Sequence, residues 1–318
     1  MADLVPQLKQ TLPVVLQDAG DSASERVIEL FTAEIRNSNT REAYARAVRR
    51  FFRWADRKGL HLSDIEPVHI AAYVEEDERA PATVKQNLAA LRRLFDHLVT
   101  GQVLDANPAE PVRSPSLQTD GGKTPALTAE EARELLDSIV EEKKELPQLR
   151  DRAIIGVMTY TFARVSAVCR LDVGDYFRAG RRWKIRLHEK GGQRRTVPVH
   201  HKAQDYIDRY LDTAGIREER EAPLFQSLRG RTGELTGNRL LADNALQMVK
   251  RRAEEAGFDP AQVTCHTFRA TGITTFLENG GDLETAQYIA GHASANTTRI
   301  YDHRDQKVAQ EEIERVRI

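Results

Sequence analysis

Apolar residues recur at steps of three and four residues in the first third of the chain, a pattern typical of helices with one buried face. The clearest stripe lies between residues 38 and 58 and consists of Tyr44, Val48, Phe51, Phe52 and Ala55. Ser38 or Asn39 is expected to cap this helix, because either side chain can accept a hydrogen bond from the first turn. Gly59 is expected to end it.

A second stripe of the same kind predicts a helix from about Thr83 to Val99, which stops at Gly101. Short helices are expected in the stretch between the two long ones. The pattern therefore predicts a compact all-α bundle over residues 22–106, preceded by a flexible arm, residues 1–21.

A stretch rich in Pro, Ser and Gly, residues 107–125, predicts a linker between two domains. The length of 318 residues is also typical of about two domains. The second domain, residues 126–318, opens with Thr128 and Glu131, whose spacing is that of a capping box at the start of a helix.

Apolar and polar residues then alternate on both sides of Gly191-Gly192, which predicts a β-hairpin. The pattern becomes helical again from about residue 201. The predicted fold class is therefore two-domain, with an all-α N-terminal bundle and a mainly α (α+β) C-terminal domain that contains a small antiparallel sheet.

The composition, with 40% hydrophobic and 30% charged residues, is that of a globular protein. No apolar run approaches the roughly 20 residues of a membrane span, and the chain does not open with a basic and then apolar leader. A cytoplasmic location without a membrane partner is expected. The two cysteines, Cys169 and Cys265, form no disulfide framework and no paired metal motif. The histidines have no close acidic partners in metal spacing, and neither a metal nor a cofactor is expected.

The formal net charge of -1 does not by itself favour a nucleic-acid partner. A protein that clamps DNA needs positive potential on one face only, however. Basic residues crowd the first predicted helix, namely Arg41, Arg46, Arg49, Arg50, Arg53, Arg57 and Lys58. Taken alone, such a run is more often a solvated helix face than a binding surface.

Six residues in the second domain are candidates for chemistry: Arg164, Lys190, His266, Arg269, His292 and Tyr301. Each has an ordinary interpretation when taken singly. The H-x-x-R pair of His266 and Arg269 arises often by chance, and Tyr301 can be a half-buried helix residue. Their order and surroundings change the interpretation.

The segments His266-Thr267-Phe268-Arg269, Gln287 to His292 and Thr297 to Tyr301 together resemble the signature of the tyrosine recombinase (phage integrase) family. Arg164 and Lys190 stand where that family places its first arginine and its hairpin lysine. Upstream segments look like the family's core-binding domain, and the resemblance covers nearly the whole chain beyond the first 20 residues. Together with the basic run of the first predicted helix, it favours DNA contacts at Thr40, Arg41, Arg46, Arg49, Arg50, Arg53, Thr83, Lys85 and Gln86.

The resemblance implies a tyrosine-recombinase fold, in which the N-terminal bundle and the C-terminal catalytic domain form a C-shaped clamp around DNA. It implies an enzyme that cleaves and rejoins double-stranded DNA at an inverted-repeat core site through a 3′-phosphotyrosyl link. Two copies are expected on each site and four in the synapse. Such an enzyme needs neither a metal ion nor ATP.

The chemistry of phosphodiester cleavage agrees with these residue types. The phosphate is anionic and gains charge in the transition state, so two arginines, Arg164 and Arg269, suit its non-bridging oxygens. A tyrosine with a pKa of about 10 is almost wholly un-ionised near pH 7. The nucleophile Tyr301 therefore needs a base, and His266 can accept its proton.

The remaining two candidates serve the leaving group and the phosphate. Lys190 is expected to give a proton to the departing 5′-oxygen, and His292 to donate a hydrogen bond to the phosphate. Two positions depart from the family pattern: Ala167 stands where an acid is usual, and Ala270 where a histidine is common. Both favour a divergent branch carried on transposons or plasmids.

Three other functions stay open: a type IB topoisomerase, a non-catalytic DNA-binding regulator, and a metal-dependent nuclease, although the nuclease would need a carboxylate cluster. The DNA target stays open, as does the choice among integration, excision and resolution. The tail, residues 302–318, has too few apolar positions for a core of its own. It is expected to dock on the neighbouring subunit as a short amphipathic helix.

Overall fold

The computed structural model describes residues 13–116, 126–139, 146–189, 192–230 and 232–302. The chain divides into two compact units, Met1–Thr119 and Asp120–Ile318. Within the described ranges, no helix is long and apolar enough to cross a membrane. The arm up to residue 12, the linker from residue 117, Lys190 and the tail beyond residue 302 lie outside the described residues.

The first unit consists of helices, with no strand among its described residues, as predicted. Its elements are α1 (Val14–Asp18), α2 (Asp21–Glu29), a π-helical turn (Leu30–Glu34), α3 (Ser38–Arg57), a 3-10 turn (Leu62–Asp64), α4 (Pro67–Glu75) and α5 (Pro81–Thr100). Part of the segment predicted as a flexible arm is helical, because Val15 and Leu16 of α1 are buried in the core of this unit.

Helices α3 and α5 supply about half of the buried residues of that core. Phe51 and Phe52 of α3 and Phe95 of α5 are fully buried, and the rings of Phe51 and Phe95 meet edge-on with their centroids 6.0 Å apart. Burial of each such ring contributes roughly 1.5–3 kcal/mol. The apolar stripe predicted for α3 is therefore confirmed as its buried face.

The predicted cap of α3 was wrong by one or two residues. The cap is Asn37, whose side-chain oxygen accepts a hydrogen bond from the backbone N–H of Thr40 at 3.1 Å, rather than Ser38 or Asn39. All three residue types cap helices well, so the pattern alone could not choose among neighbours. Gly59 follows the end of α3 with φ at +69°, a left-handed conformation that glycine adopts without strain.

The second unit is mainly helical with a small antiparallel sheet, as predicted. Its elements are α6 (Ala129–Ser138), α7 (Leu146–Thr161), α8 (Val165–Cys169), a 3-10 turn (Val173–Asp175), β1 (Tyr176–Ala179), β2 (Arg182–His188), β3 (Arg194–Pro198), α9 (His201–Ala214), β4 (Gln226–Leu228), β5 (Leu235–Arg239), α10 (Ala242–Glu255), α11 (Cys265–Glu278), α12 (Leu283–Ala290) and α13 (Ala295–Arg299). The capping box of Thr128 and Glu131 at the start of α6 is confirmed.

The sheet has the order β1-β2-β3, and its β2-β3 pair is the predicted hairpin, with Ile185 opposite Val197. A second, two-stranded sheet of β4 and β5 corrects the prediction that the chain is helical from residue 201 onward. Both strands are short and lack apolar alternation, so they gave no period-two signal.

Helix α7 is buried on nearly every side and packs against α9 and α11. Its contact with α11 is close at Gly272, where an added Cβ would lie 2.0 Å from the carbonyl oxygen of Thr159. A glycine is therefore required at this crossing. The close approach brings the middle of α11 beside the end of α7, where the chain turns through Phe162 with φ at +53°.

Candidate active site

Tyr301 lies two residues after α13, and its side chain is only 7% exposed. The backbone N–H of Tyr301 donates to the carbonyl oxygen of Thr298 at 3.0 Å, which continues the last turn of the helix. The ring packs in a small apolar cluster with Phe162 and Ile273. Its hydroxyl lies 2.9 Å from Nε2 of His266.

His266 and Arg269 come from the first turns of α11. Thr264 caps this helix by accepting from the backbone N–H of Thr267, which fixes the start of α11 and hence the positions of both side chains. Because residues three apart share a helix face, both point toward the same region.

Arg269 is almost completely buried, with 1% of its surface exposed. Its guanidinium donates to the backbone oxygen of Phe162 and to that of Ala290, the latter at 2.7 Å. These bonds tie the end of α7 to the end of α12. The Nε–H of Arg269 is buried and has no hydrogen-bond partner in the described part of the chain, so one donor of the fork is left unpaired inside the site.

Arg164 occupies the N-cap position of the short helix α8, two residues after Phe162, and its side chain makes no capping hydrogen bond. Its side chain is 43% exposed, and Nη1 lies 2.9 Å from Oε2 of Glu189. The other oxygen of Glu189 accepts from Nη2 of Arg195 at 2.8 Å. The exposed guanidinium of Arg164 is thus held on one side and open to solvent on the other.

His292 follows the left-handed cap of α12, Gly291, whose φ is +62°. Its Nδ1 lies 2.8 Å from Oγ1 of the buried Thr298. The imidazole ring is nearly parallel to that of Tyr301, with an interplanar angle of 10° and centroids 6.1 Å apart. One face of Tyr301 is therefore flanked by a second histidine.

Positive charge dominates the electrostatics of this cluster. Burial, followed by the charge of Arg164, lowers the pKa of Arg269 to about 10, which leaves the guanidinium protonated at neutral pH. Desolvation, followed by the charges of Arg269 and Arg164, lowers the pKa of His266 and brings that of His292 down to about 4. Both imidazoles are therefore neutral at pH 7.

This arrangement is suited to acid–base chemistry on an anion. A neutral His266 can accept the proton of the Tyr301 hydroxyl, to which it already lies at hydrogen-bond distance. Two guanidinium groups close by favour an anionic ligand. The cluster therefore brings a tyrosine hydroxyl, a neutral imidazole and two guanidinium groups together.

The depressed pKa of His292 predicts a pH dependence of stability. In the unfolded chain this histidine takes up a proton near its ordinary value of 6.5, whereas in the folded protein it resists protonation down to about pH 4. The contribution of the neutral His292 to the free energy of unfolding is therefore complete above about pH 6.5 and is lost as the pH falls toward 4. We expect His292→Gln to lose less thermal stability than the wild type between about pH 7.5 and pH 5. Parallel pH curves for the two proteins, measured by thermal unfolding, would contradict this.

The structure brings five of the six candidate residues together: Arg164, His266, Arg269, His292 and Tyr301. The sixth, Lys190, lies outside the described residues. Sequence reasoning missed Glu189, although it directly precedes Lys190 in the hairpin. An acid beside an expected catalytic lysine was the available signal.

The candidate DNA-contacting residues lie on the first unit, along α3 and at the start of α5. Six of them are exposed: Arg46, Arg49, Arg50, Arg53, Lys85 and Gln86. Thr40, Arg41 and Thr83 are half-buried, and Arg41 donates to the backbone oxygen of Ile35 at 3.0 Å. The steps of three and four residues from Arg46 to Arg53 place these arginines on one face. Their contact with DNA stays a prediction.

Comparison with known protein families gives two matches that together span most of the chain. The phage integrase family matches residues 125–307. The phage integrase N-terminal SAM-like domain matches residues 27–102. The boundaries of these matches correspond to the two compact units of the fold.

Two curated relatives are similar over nearly their full length. The chain is 30% identical to the tyrosine recombinase XerC of Thermodesulfovibrio yellowstonii over 281 residues, which cover 85% of this chain and 87% of that one. It is 30% identical to the tyrosine recombinase XerD of Xanthomonas axonopodis pv. citri over 300 residues, which cover 90% and 94% of the two chains.

Solved structures share the fold at lower sequence identity. The XerH site-specific recombinase, in a post-cleavage complex with its palindromic difH substrate, aligns with a TM-score of 0.70 at 20% identity, over 98% of this chain and 94% of that one. A lambda integrase dimer bound to a COC′ core site aligns with a TM-score of 0.67 at 18% identity, over 90% and 96% of the two chains. The fold of both units is therefore shared with these proteins.

Proposed function

The chain belongs to the phage integrase family of tyrosine recombinases, and we propose that it breaks and rejoins DNA through a covalent bond to Tyr301. It is a site-specific DNA recombinase, like the relatives that it matches over nearly their full length. The observation that carries the assignment of the nucleophile is the 2.9 Å contact between the Tyr301 hydroxyl and His266, beside two arginines.

In the proposed cleavage step, the Tyr301 oxygen attacks the scissile phosphorus while His266 takes its proton. Arg164 and Arg269 stabilise the charge that builds on the non-bridging oxygens. The bond from phosphorus to the 5′-oxygen breaks, and Lys190 is the proposed donor of the proton that this oxygen gains. The products are a 3′-phosphotyrosyl link and a free 5′-hydroxyl.

Rejoining is the reverse of this step, with a 5′-hydroxyl as the nucleophile and Tyr301 as the leaving group. The phosphotyrosyl link retains the bond energy of the cleaved strand, so the proposal requires no ATP. The arginines and Lys190 supply the positive charge that other phosphoryl-transfer enzymes take from metal ions.

The partners of the reaction are double-stranded DNA and further copies of the chain. We infer a core site with inverted repeats, one bound copy on each repeat, and four copies when two sites exchange strands. Closed, symmetric assembly is the usual outcome for identical subunits on a symmetric site. Because its substrate is DNA, we place its action in the cytoplasm.

Selection for covalent capture tests this function and identifies the DNA target in the same experiment. The protein is incubated with a randomised duplex library, denatured with detergent, and the DNA that remains attached is sequenced. We expect the captured DNA to share an inverted repeat. Two copies of that repeat on one plasmid should then recombine in the presence of a metal chelator and without ATP.

Other outcomes of the selection would overturn the proposal. Covalent capture without a shared sequence, together with relaxation of plasmids that lack any target, would indicate a type IB topoisomerase. Enrichment of a bound sequence without any covalent capture would indicate a non-catalytic DNA-binding regulator.

A further inference from the structure

We infer that Glu189 is a positioning residue for cleavage, because its carboxylate joins Arg164 to Arg195 and so holds the Arg164 guanidinium toward the scissile phosphate. The inference rests on the proposed function of the site. It concerns a residue that neither the sequence signature nor the chemistry of the reaction requires.

The Glu189 carboxylate uses both of its oxygens. Oε2 lies 2.9 Å from Nη1 of Arg164, and Oε1 accepts from Nη2 of Arg195 at 2.8 Å. The Glu189 side chain is 8% exposed and that of Arg195 is also 8% exposed. Hydrogen bonds between buried, oppositely charged groups are short and directional. The Arg195 guanidinium is thus a fixed support on one side of the carboxylate.

Arg195 is itself anchored to the end of α12. Its Nη1 donates to the backbone oxygen of Tyr288 at 3.2 Å, in the last turn of that helix. A cation at this end of a helix is also stabilised by the negative end of the helix dipole. A Cβ at Gly291 would lie 3.1 Å from Nε of Arg195 and 3.4 Å from Oε1 of Glu189. The pair is therefore packed against the residue that precedes His292.

The backbone of Glu189 also closes the β2-β3 hairpin, since its N–H donates to the carbonyl oxygen of Gln193 at 2.8 Å. One residue thus ties the hairpin, the end of α12 and the first arginine of the site together. Burial of the Glu189 carboxyl raises its pKa, but Arg195 and then Arg164 outweigh this effect and lower it overall. The carboxylate is therefore charged at neutral pH.

Glu189 accepts a hydrogen bond from only one side of the Arg164 guanidinium group. A guanidinium has five N–H donors, and the Arg164 side chain, 43% exposed, gives one of them to Glu189. Glu189 is its only hydrogen-bond partner among the described residues, so the other donors are open to phosphate oxygens. Ala167, three residues after Arg164, is buried and has no carboxylate to offer, so the anchoring charge comes from the hairpin instead of from α8.

The test is the single-turnover cleavage rate of a suicide DNA substrate at saturating protein, compared with the DNA dissociation constant. For Glu189→Gln, which keeps the shape and removes the charge, we expect the cleavage rate to fall about 10- to 100-fold, the usual scale for loss of a group that orients a functional residue. Binding should stay within about threefold of the wild type. Glu189→Asp, which keeps the charge at shorter reach, should show an intermediate defect.

Asp175→Asn is the matched control. The Asp175 side chain is also 8% exposed, lies next to β1 of the same sheet, and pairs with His188 at 2.9 Å and Arg186 at 3.5 Å rather than with Arg164. This variant loses an equally buried carboxylate, so its cleavage rate should stay within about threefold of the wild type. A loss equal to that of Glu189→Gln would show that any buried charge of this sheet matters, and would overturn the inference.

A substrate with a methylphosphonate at the scissile position separates positioning from a structural role. Replacing a non-bridging oxygen with methyl removes the phosphate charge that Arg164 is held to meet. The difference in cleavage rate between the wild type and Glu189→Gln should therefore shrink to about threefold or less on this substrate. An equal ratio of the two cleavage rates on both substrates, or faster cleavage by Glu189→Gln than by the wild type, would overturn the inference. The absence of any wild-type adduct on the unmodified phosphate substrate would instead overturn the proposed function.

Discussion

Replacing Tyr301 with phenylalanine is expected to abolish the covalent protein–DNA complex completely and to leave DNA binding unchanged. The variant removes one buried hydroxyl, whose described partner is His266 at 2.9 Å, and keeps the ring in its apolar cluster. Without that oxygen no bond to phosphorus can form. Suicide substrates resolved on denaturing gels measure the adduct, and gel-shift titration measures binding.

Tyr288→Phe is the matched control for this variant. Tyr288 is 62% exposed on α12, and its backbone oxygen, which accepts from Arg195, is kept by the substitution. It should form the adduct at the wild-type rate. An adduct that persists in Tyr301→Phe would show that another residue is the nucleophile.

Replacing Arg269 with alanine should have the second-largest effect. Loss of one preorganised donor to a developing charge costs about 2.7–4 kcal/mol, or 10²–10³ in rate, in a comparable acyl-transfer site. Because Arg269 is buried and binds two backbone oxygens, its removal also leaves buried acceptors unpaired. Each unpaired group costs about 1–3 kcal/mol of stability. We therefore expect both slower cleavage and a lower melting temperature.

Arg164→Ala separates these two effects. Its guanidinium is 43% exposed and pairs with a side chain rather than with buried backbone oxygens. Cleavage should fall by the same 10²–10³-fold, while the melting temperature should change far less than in Arg269→Ala. A cleavage rate for either variant within about threefold of the wild type would contradict the phosphate-clamp role.

The sequence predicted the elements whose apolar residues follow a strong period. Helices α3 and α5 and the β2-β3 hairpin lie where the pattern placed them, since one face of each is buried in a core. The cap at Asn37 and the short β4 and β5 strands were not predicted. Neighbouring cap residues are chemically equivalent, and strands of three to five residues carry too few positions to show a period.

The residues of the site were predicted from a family signature rather than from apolar periodicity. The order of His266, Arg269, His292 and Tyr301 resembled a known signature, and the structure brings these side chains together. The contact between Glu189 and Arg164 joins positions 25 residues apart. It depends on how the hairpin packs against α8 and α12, which no local pattern in the sequence specifies.

Identification of the residue that becomes linked to DNA tests the central claim most directly. A suicide substrate traps the adduct, trypsin cleaves after Arg299 and Arg304, and mass spectrometry locates the attached nucleotide. We predict a nucleotide joined through its 3′-phosphate to Tyr301 in the peptide of residues 300–304, with a free 5′-hydroxyl on the released strand. Attachment to any other residue, or through a 5′-phosphate, would contradict the mechanism proposed here.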